Sequence, residues 1–378
     1  MRTSGCSACR ALLRAARHRD VEAAQQRRMQ STASRARRIF SGIQPTGIPH
    51  IGNYLGALKQ WKKLQDTAEP SDELFFSIVG LHAITVPQEP GKLRQDRRDM
   101  LATLLALGLS PERCTIFFQE QVPQHAELAW MLNCLVSLGR LQRMTSWKSR
   151  LAGMKGSKEG EADEGKLHLG LLAYPVLQAA DVLLYDATEV PVGDDQKQHI
   201  ELIRDLAATF NSRHSTEFFR APEHIFTPTS RVQSLTQPSA KMSKSAVNAR
   251  SRILLTDEPE DIESKIRRAV SDGKYMISYD RDTRPGVSNL IDIYAGLTEK
   301  TPAEVLQHLE EQRIDTLGKM KRSLADLIIE KFTPFRAEFS RLQADPGYLS
   351  QVEQMGEQKA SAVARERMAE IHKLVGLA

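Results

Sequence analysis

The 378-residue chain contains no apolar run of about 18 residues, the length a helix needs to cross a bilayer. Its longest apolar stretch, Leu101 to Leu109, is half that and is interrupted by Thr103 and Gly108. Four cysteines are too few to staple a chain of this length, and only Cys6 and Cys9 lie close together; no second pair completes a zinc site. Sparse cysteine of this kind fits a reducing compartment. Several familiar signatures are also missing: GxxxxGK followed by Ser or Thr, GxGxxG, the GxSxG elbow and the HExxH helix. A P-loop ATPase or a dinucleotide enzyme is thereby disfavoured, and neither a nucleophile elbow nor a zinc-protease helix is available.

What is present is an ordinary globular composition, 41% hydrophobic and 26% charged, in a chain long enough for two or three domains. The net charge of +5 is unevenly distributed. Residues 1–38 hold ten arginines, no lysine and only Asp20 and Glu22 as acids, a balance of +8 that leaves −3 for residues 39–378. Arg-rich, acid-poor sequence with scattered Ser, Thr and Ala is the composition of a mitochondrial transit peptide, and Leu12 to Met29 suits a basic amphipathic helix. The alternative is a basic arm that touches nucleic acid. The absence of an apolar core segment excludes a secretory signal. The remainder is slightly acidic, so any nucleic-acid surface on it is a local patch.

From Arg38 the pattern changes. Ile39–Ile43 reads as a strand and Pro45 to Pro49 as a turn-rich loop, and Gly52 to Leu64 carries Tyr54, Leu55, Leu58, Trp61 and Leu64 at helical spacing. Leu74 to Val79 and Cys114 to Phe118 read as strands around a helix from Lys92 to Leu107. Alternating strand and helix predict a parallel sheet with crossover helices, whose ligands bind at the carboxyl ends of the strands. Residues 125–150, Leu167 to Leu184 and Gln196 to Phe210 read as helical, with Val190 to Val192 a short strand and Ala152 to Gly165 a Gly/Lys/Glu-rich mobile loop. Beyond Ala246 only helix is expected: Leu317, Met320, Leu324, Leu327 and Ile328 form one stripe, and Phe335, Phe339 and Leu342 another after Pro334.

Two short segments attract chemical interest. His50-Ile51-Gly52-Asn53 opens a helix directly after a strand and loop, and Lys241-Met242-Ser243-Lys244-Ser245 lies far downstream. An imidazole and an amide at a helix N-terminus suit phosphate oxygens, because backbone N–H groups and the helix dipole point the same way. Two lysines three apart on a flexible loop suit polyphosphate. Taken singly, each segment also reads as a plain helix start or a solvated loop.

Together, and in this order, the segments resemble the paired signatures of the class I aminoacyl-tRNA synthetases. Phe40 to Gly47 (FSGIQPTG), Ile84-Thr85-Val86, Tyr174 to Asp181 (YPVLQAAD) and Val190 to Gln196 (VPVGDDQ) narrow the resemblance to the tryptophan-specific branch. It covers Arg38 to the C-terminus, and the arginine-rich arm matches the mitochondrial form. The resemblance implies an α/β fold: a Rossmann-like parallel-sheet catalytic domain over 38–247, an all-helical tRNA (anticodon)-binding domain over 248–378, and a transit peptide over 1–37. It implies a homodimer of the mitochondrial matrix that uses ATP with Mg²⁺, L-tryptophan and tRNA(Trp), with no membrane partner. Because the amino acid's carboxylate attacks the ATP α-phosphate, no activated Ser or Cys is required, and catalysis is positioning plus charge stabilisation.

Residue by residue, the resemblance places Gln44, Pro45, Thr46, His50, Gly52 and Asn53 around ATP, Gly193, Asp194 and Asp195 at the ribose and adenosine, and Val232 near adenine. Lys241 and Lys244 would stabilise the leaving pyrophosphate, with Met242, Ser243 and Ser245 in the same segment, and Lys148 would assist from the mobile loop with Arg150 as second choice. Asp181 would accept the indole N–H, which can only donate. Tyr174 and Gln196 would take the α-amino group, and Phe40 and His82 would line the pocket. Read without the resemblance, Asp181 is a helix cap or salt-bridge partner, His82 a satisfied core histidine and Tyr174 packing. Gly80, Ala246, Gln178 and Arg150 depart from the family pattern, where Asp, Asp, Met and Lys are frequent.

Overall fold

The computed structural model describes residues 36–144, 167–193, 196–226, 232–244, 246–273 and 276–378. The chain divides into two units, Met1–Arg37 and Arg38–Ala378, and the elements below belong to the second. The expectations for Leu12 to Met29, the Ala152 to Gly165 loop, Lys148, Arg150, Asp194, Asp195 and Ser245 fall outside the described residues.

Five parallel strands, β1 (Arg38–Ile43), β2 (Glu73–Ile78), β3 (Thr115–Phe118), β4 (Glu189–Val192) and β5 (Glu223–Phe226), form one sheet in the order β3-β2-β1-β4-β5. β1 pairs with β2 from Arg38↔Glu73 to Ile43↔Ile78, and with β4 at Ile39↔Glu189. The order reverses at β1, so the crevice beyond the carboxyl ends of β1 and β4 is the topological switch point where open sheets take ligands. The first four strands agree with the sequence reading; β5 escaped it because Glu223 and His224 break the apolar run that marks a buried strand.

Strand residues alternate between the two faces, as the pleat requires. Phe40, Phe75 and Phe117 point into one core, which is closed by α7 (Leu169–Leu183) and α8 (Lys197–Arg213). Ile39, Leu74, Phe76, Ile78, Ile116 and Phe118 point into the other. That face is covered by α2 (Lys59–Thr67) and α4 (Pro90–Ala106). Burial on both faces explains why these strands read as near-continuous apolar runs.

α1 (Ile51–Asn53) continues through a π-helical turn (Tyr54–Leu58) into α2, so one helical run leaves the loop after β1. α3 (Gly80–Ala83) follows β2, and a 3-10 turn (Gln119–Gln121) follows β3. Of the expected helix over 125–150, the described part, up to residue 144, forms α5 (Gln124–Asn133) and α6 (Leu138–Gln142), the latter capped by Ser137; residues 145–150 lie outside the described residues.

Past residue 246 the described residues carry no named strand. α9 (Pro259–Arg267), α10 (Pro285–Thr298), α11 (Pro302–Glu311) and α12 (Leu317–Gln343) share a third core. The two stripes expected on either side of Pro334 belong to one helix. Pro334 sits on its exposed face, where water can take up the carbonyl that proline leaves without a donor. α13 (Pro346–Val375) returns to the sheet: Leu349 and Val352 enter one sheet core and Ala360, Ala364, Met368 and Ile371 the other. It thereby covers edge strand β3, and the approach is so close that a Cβ on Gly356 would stand 1.8 Å from the Ile116 carbonyl oxygen.

Candidate active site

At the switch point the β1 and β4 ends, α3 and α7 enclose a cavity of about 300 Å³. Its walls include Phe40, Gln44, His82, Tyr174, Gln178, Asp181, Gly193 and Gln196. A flat apolar floor comes from Phe40, whose ring stacks on Tyr185 at 5.6 Å. Trp61, also in the wall, donates its indole N–H to Ser41 at 3.0 Å and stacks on Phe76. Its polar side chains are those of Ser41, Gln44, His82, Tyr174, Gln178, Asp181 and Gln196. Tyr174 Oη lies 3.1 Å from His199 Nε2, and Asp181 is only 2% exposed. Burial pushes the Asp181 carboxyl upward, but the neighbouring imidazoles of His82 and His125 outweigh it and hold the group far below the ordinary carboxylate range. Asp181 is therefore an ionised acceptor in the wall of this cavity.

Beside this cavity the two signature segments meet. Ile51 N donates to Ile253 O at 2.9 Å, Leu255 N to Pro49 O at 3.0 Å, and Met242 N to Val232 O at 3.1 Å. Met242 and Val232 are buried in the helical core with Ile51, so the methionine between the two lysines is an anchor. Lys244 then reaches the loop after β1, donating to Gly47 O at 2.8 Å, with Thr46 Oγ1 at 3.5 Å. Gly47 has φ +88°, a left-handed backbone that favours glycine. Burial lowers the Lys244 ammonium to about 8, with Lys92 adding to the fall and Asp96 opposing it.

His50 and Asn53 form a reciprocal cap: His50 Nδ1 accepts Asn53 N at 3.2 Å, and Asn53 Oδ1 accepts His50 N at 3.1 Å. Nδ1 is thus occupied as an acceptor, which leaves the ring proton on Nε2. Burial, with Lys244, Lys241 and Arg252, lowers His50 to about 4, so the imidazole is neutral at pH 7. A Cβ on Gly52 would stand 3.0 Å from the His50 ring and 3.3 Å from Val232.

The chain matches the family description tRNA synthetases class I (W and Y) over residues 32–333. It belongs to that family. It is 43% identical over 90% of its length to the mitochondrial tryptophan–tRNA ligase of Schizosaccharomyces pombe, covering 95% of that protein. Among solved structures, tryptophanyl-tRNA synthetase of Mycoplasma pneumoniae superposes with a TM-score of 0.78 at 32% identity, over 91% of this chain and 99% of that one. The Campylobacter jejuni enzyme, solved with ADP and tryptophan, gives 0.73 at 31% identity over 90% of this chain and 100% of that one. The α/β, Rossmann-like expectation holds for this family member.

Of the expected site residues, Phe40, Gln44, His82, Tyr174, Asp181, Gly193 and Gln196 line one cavity, while Thr46 meets Lys244, and His50, Gly52, Val232 and Met242 interlock next to it. Lys241 bridges Gln233 on the exposed side of the same segment. The plain reading of His82 as a satisfied core histidine is half right: it is buried and hydrogen-bonded, and it also faces the cavity. A carboxylate does stand beside position 80, but Glu120 supplies it, 2.4 Å from where a Cβ on Gly80 would lie. Sequence reasoning missed Gln119 and His125, which hold Asp181 from behind, and Tyr185, which meets His125. Their only signal was polar residues at the end of an apolar strand and within an apolar helix. Among the described residues no three His, Cys, Asp or Glu side chains cluster to hold a metal ion, and no helix is long and apolar enough to cross a membrane.

Proposed function

We propose that the chain is a mitochondrial tryptophan–tRNA ligase that converts L-tryptophan and ATP to tryptophanyl-adenylate and pyrophosphate, then charges tRNA(Trp) for mitochondrial translation. The observation that carries this reading is Asp181, a buried, ionised, acceptor-only group in the cavity wall. An indole N–H is a donor only and meets such a group directly; a site that satisfies it rejects analogues without it, because a buried acceptor would go unpaired. The tryptophan ligase names of the relatives point the same way.

In this reading Phe40 and His82 line the pocket around the indole, and Tyr174 and Gln196 take the α-amino group. ATP, arriving with its own Mg²⁺, lies over Gln44, Pro45, Thr46, His50, Gly52 and Asn53. Gly193, Asp194 and Asp195 take the ribose and Val232 the adenine edge. Lys241, Ser243, Lys244 and Ser245 draw off the pyrophosphate charge, with Lys148 assisting. The contact of Lys244 with Gly47 supports this, since it holds an ammonium against the loop that follows β1. Residues 1–37 act as the transit peptide to the matrix, 38–247 as the catalytic domain and 248–378 as the helical tRNA-binding domain. A homodimer completes the reading, as the family resemblance implies.

The test is amino-acid-dependent ATP–pyrophosphate exchange by the full chain, with tyrosine and Lys244→Ala as controls. Exchange with tryptophan alone, collapsing in the variant, is the expected result. Exchange with neither amino acid, while tRNA still binds, would replace the enzyme with an RNA-binding paralogue.

A further inference from the structure

Two of the three residues that hold the acceptor in the cavity wall do not themselves line the cavity. Among the described residues three donors converge on Asp181 from other elements. His82 Nε2 approaches Oδ2 at 2.7 Å, while Gln119 Nε2 and His125 Nδ1 approach Oδ1 at 2.7 and 2.6 Å. An ionised carboxylate offers about four acceptor positions, so this set leaves room for one more donor.

Each of the rear donors is itself locked. Gln119 Oε1 accepts the Leu81 backbone N–H at 3.1 Å, so its amide cannot turn without losing both contacts. Leu81 lies in α3 beside His82, which makes Gln119 a tie between the helix bearing one pocket residue and the carboxylate of another. His125 is 0% exposed, and its Nε2 meets Tyr185 Oη at 2.9 Å. The carboxylate can only accept, so it fixes the His125 proton on Nδ1; the Tyr185 hydroxyl, which can donate or accept, completes the set by donating to Nε2. Tyr185 is fixed in turn by ring contacts with Phe75 at 4.6 Å, Phe117 at 5.5 Å and Phe40.

We propose that Gln119 and His125 are positioning residues for amino-acid selection: by filling Oδ1 from behind they leave Asp181 one open acceptor position toward the cavity, and so set the preference for a bicyclic side chain with a ring N–H over an isostere without one. The proposal deepens the reading of Asp181 as the indole acceptor and rests on it. Without the rear donors the carboxylate is free to rotate about its last bond and to take up a proton, and either change removes the aimed acceptor. Tyr185 acts one step further back, through the hydrogen bond that holds the His125 ring.

The experiment measures ATP–pyrophosphate exchange by the full chain with tryptophan and with its benzothienyl analogue, in which sulfur replaces the ring N–H. Gln119→Met and His125→Phe are each expected to lower the tryptophan-to-analogue ratio of kcat/KM about tenfold, through the KM for tryptophan, with the KM for ATP unchanged. His125→Asn, which keeps a donor near the Nδ1 position, restores most of the ratio. Tyr185→Phe removes a single oxygen from a stacked ring and provides a variant that folds; it lowers the ratio in the same direction by less. If both amino acids lose activity by the same factor, the two residues are merely structural and the proposal fails. Asp181→Asn separates the levels. An unchanged ratio in that variant overturns the indole-acceptor reading itself. A collapse there, with Gln119→Met, His125→Phe and Tyr185→Phe all unchanged, overturns the positioning role alone.

Discussion

Nucleotide affinity should depend on the protonation of Lys244. Its ammonium is lowered to about 8, chiefly by burial. A group with that midpoint is roughly 90% charged at pH 7 and roughly 10% charged at pH 9. The charged form is the one that attracts polyphosphate, so ATP binding draws a proton onto the lysine as pH rises through 8. The sign follows: affinity is full below the free-protein midpoint and weakens above it, by about tenfold between pH 7 and 9. The last phosphate ionisation lies well below this window and leaves the ligand's charge constant. The assay is calorimetric binding of a non-hydrolysable ATP analogue without amino acid, in two buffers of different ionisation heat, which also counts the proton taken up. Lys244→Arg keeps its charge throughout and should give a weaker but flat profile. Affinity that is independent of pH in the parent protein, or an equal fall in Lys244→Arg, would refute the argument.

Asp96 opposes the burial of Lys244 and is held by Lys92 at 2.5 Å; Asp96→Asn should move the midpoint of that affinity profile to lower pH, read in the same calorimeter. His50 is lowered from 6.5 to about 4, so the unfolded chain binds a proton in this interval that the folded one refuses. Its contribution to stability is present above pH 6.5 and lost as pH falls toward 4, by about 3 kcal/mol at most; urea midpoints should show a shallower pH slope in His50→Gln. Gly356→Ala drives a methyl into the Ile116 carbonyl and should destabilise the fold by about 1–3 kcal/mol, seen as a lower urea midpoint with loss of α13 protection in hydrogen exchange.

How much of this was legible in the chain depends on how local each signal is. β1, β2 and β3 announce themselves because burial on both faces makes the whole strand apolar. β5 is an edge strand with Glu223 and His224 in it, and nothing local separates it from a loop. Pro334 reads as a helix end, since proline removes a donor; only its place on the exposed face of α12 shows why the helix carries on. The return of α13 to the sheet is equally silent, because Gly356 and the small residues Ala360 and Ala364 look like any weak helix until β3 lies against them.

The candidate site divides along the same line. His50, Gly52, Lys241 and Lys244 stand in short runs whose residue types already suggest phosphate, so they could be singled out before any fold was known. Asp181 could not: alone in an apolar helix it resembles a cap, and only the family resemblance gave it a ligand. What distinguishes it physically is the set of donors around it, which come from positions 82, 119 and 125. Three separate elements, α3, the turn after β3 and α5, must be brought to one point before that buried carboxylate can stay ionised. An acceptor assembled in this way is a property of the sheet's switch point. A substitution at Gln119 or His125, neither of them in the cavity wall, should therefore alter which amino acid is chosen while leaving the lysine segment and its nucleotide chemistry intact.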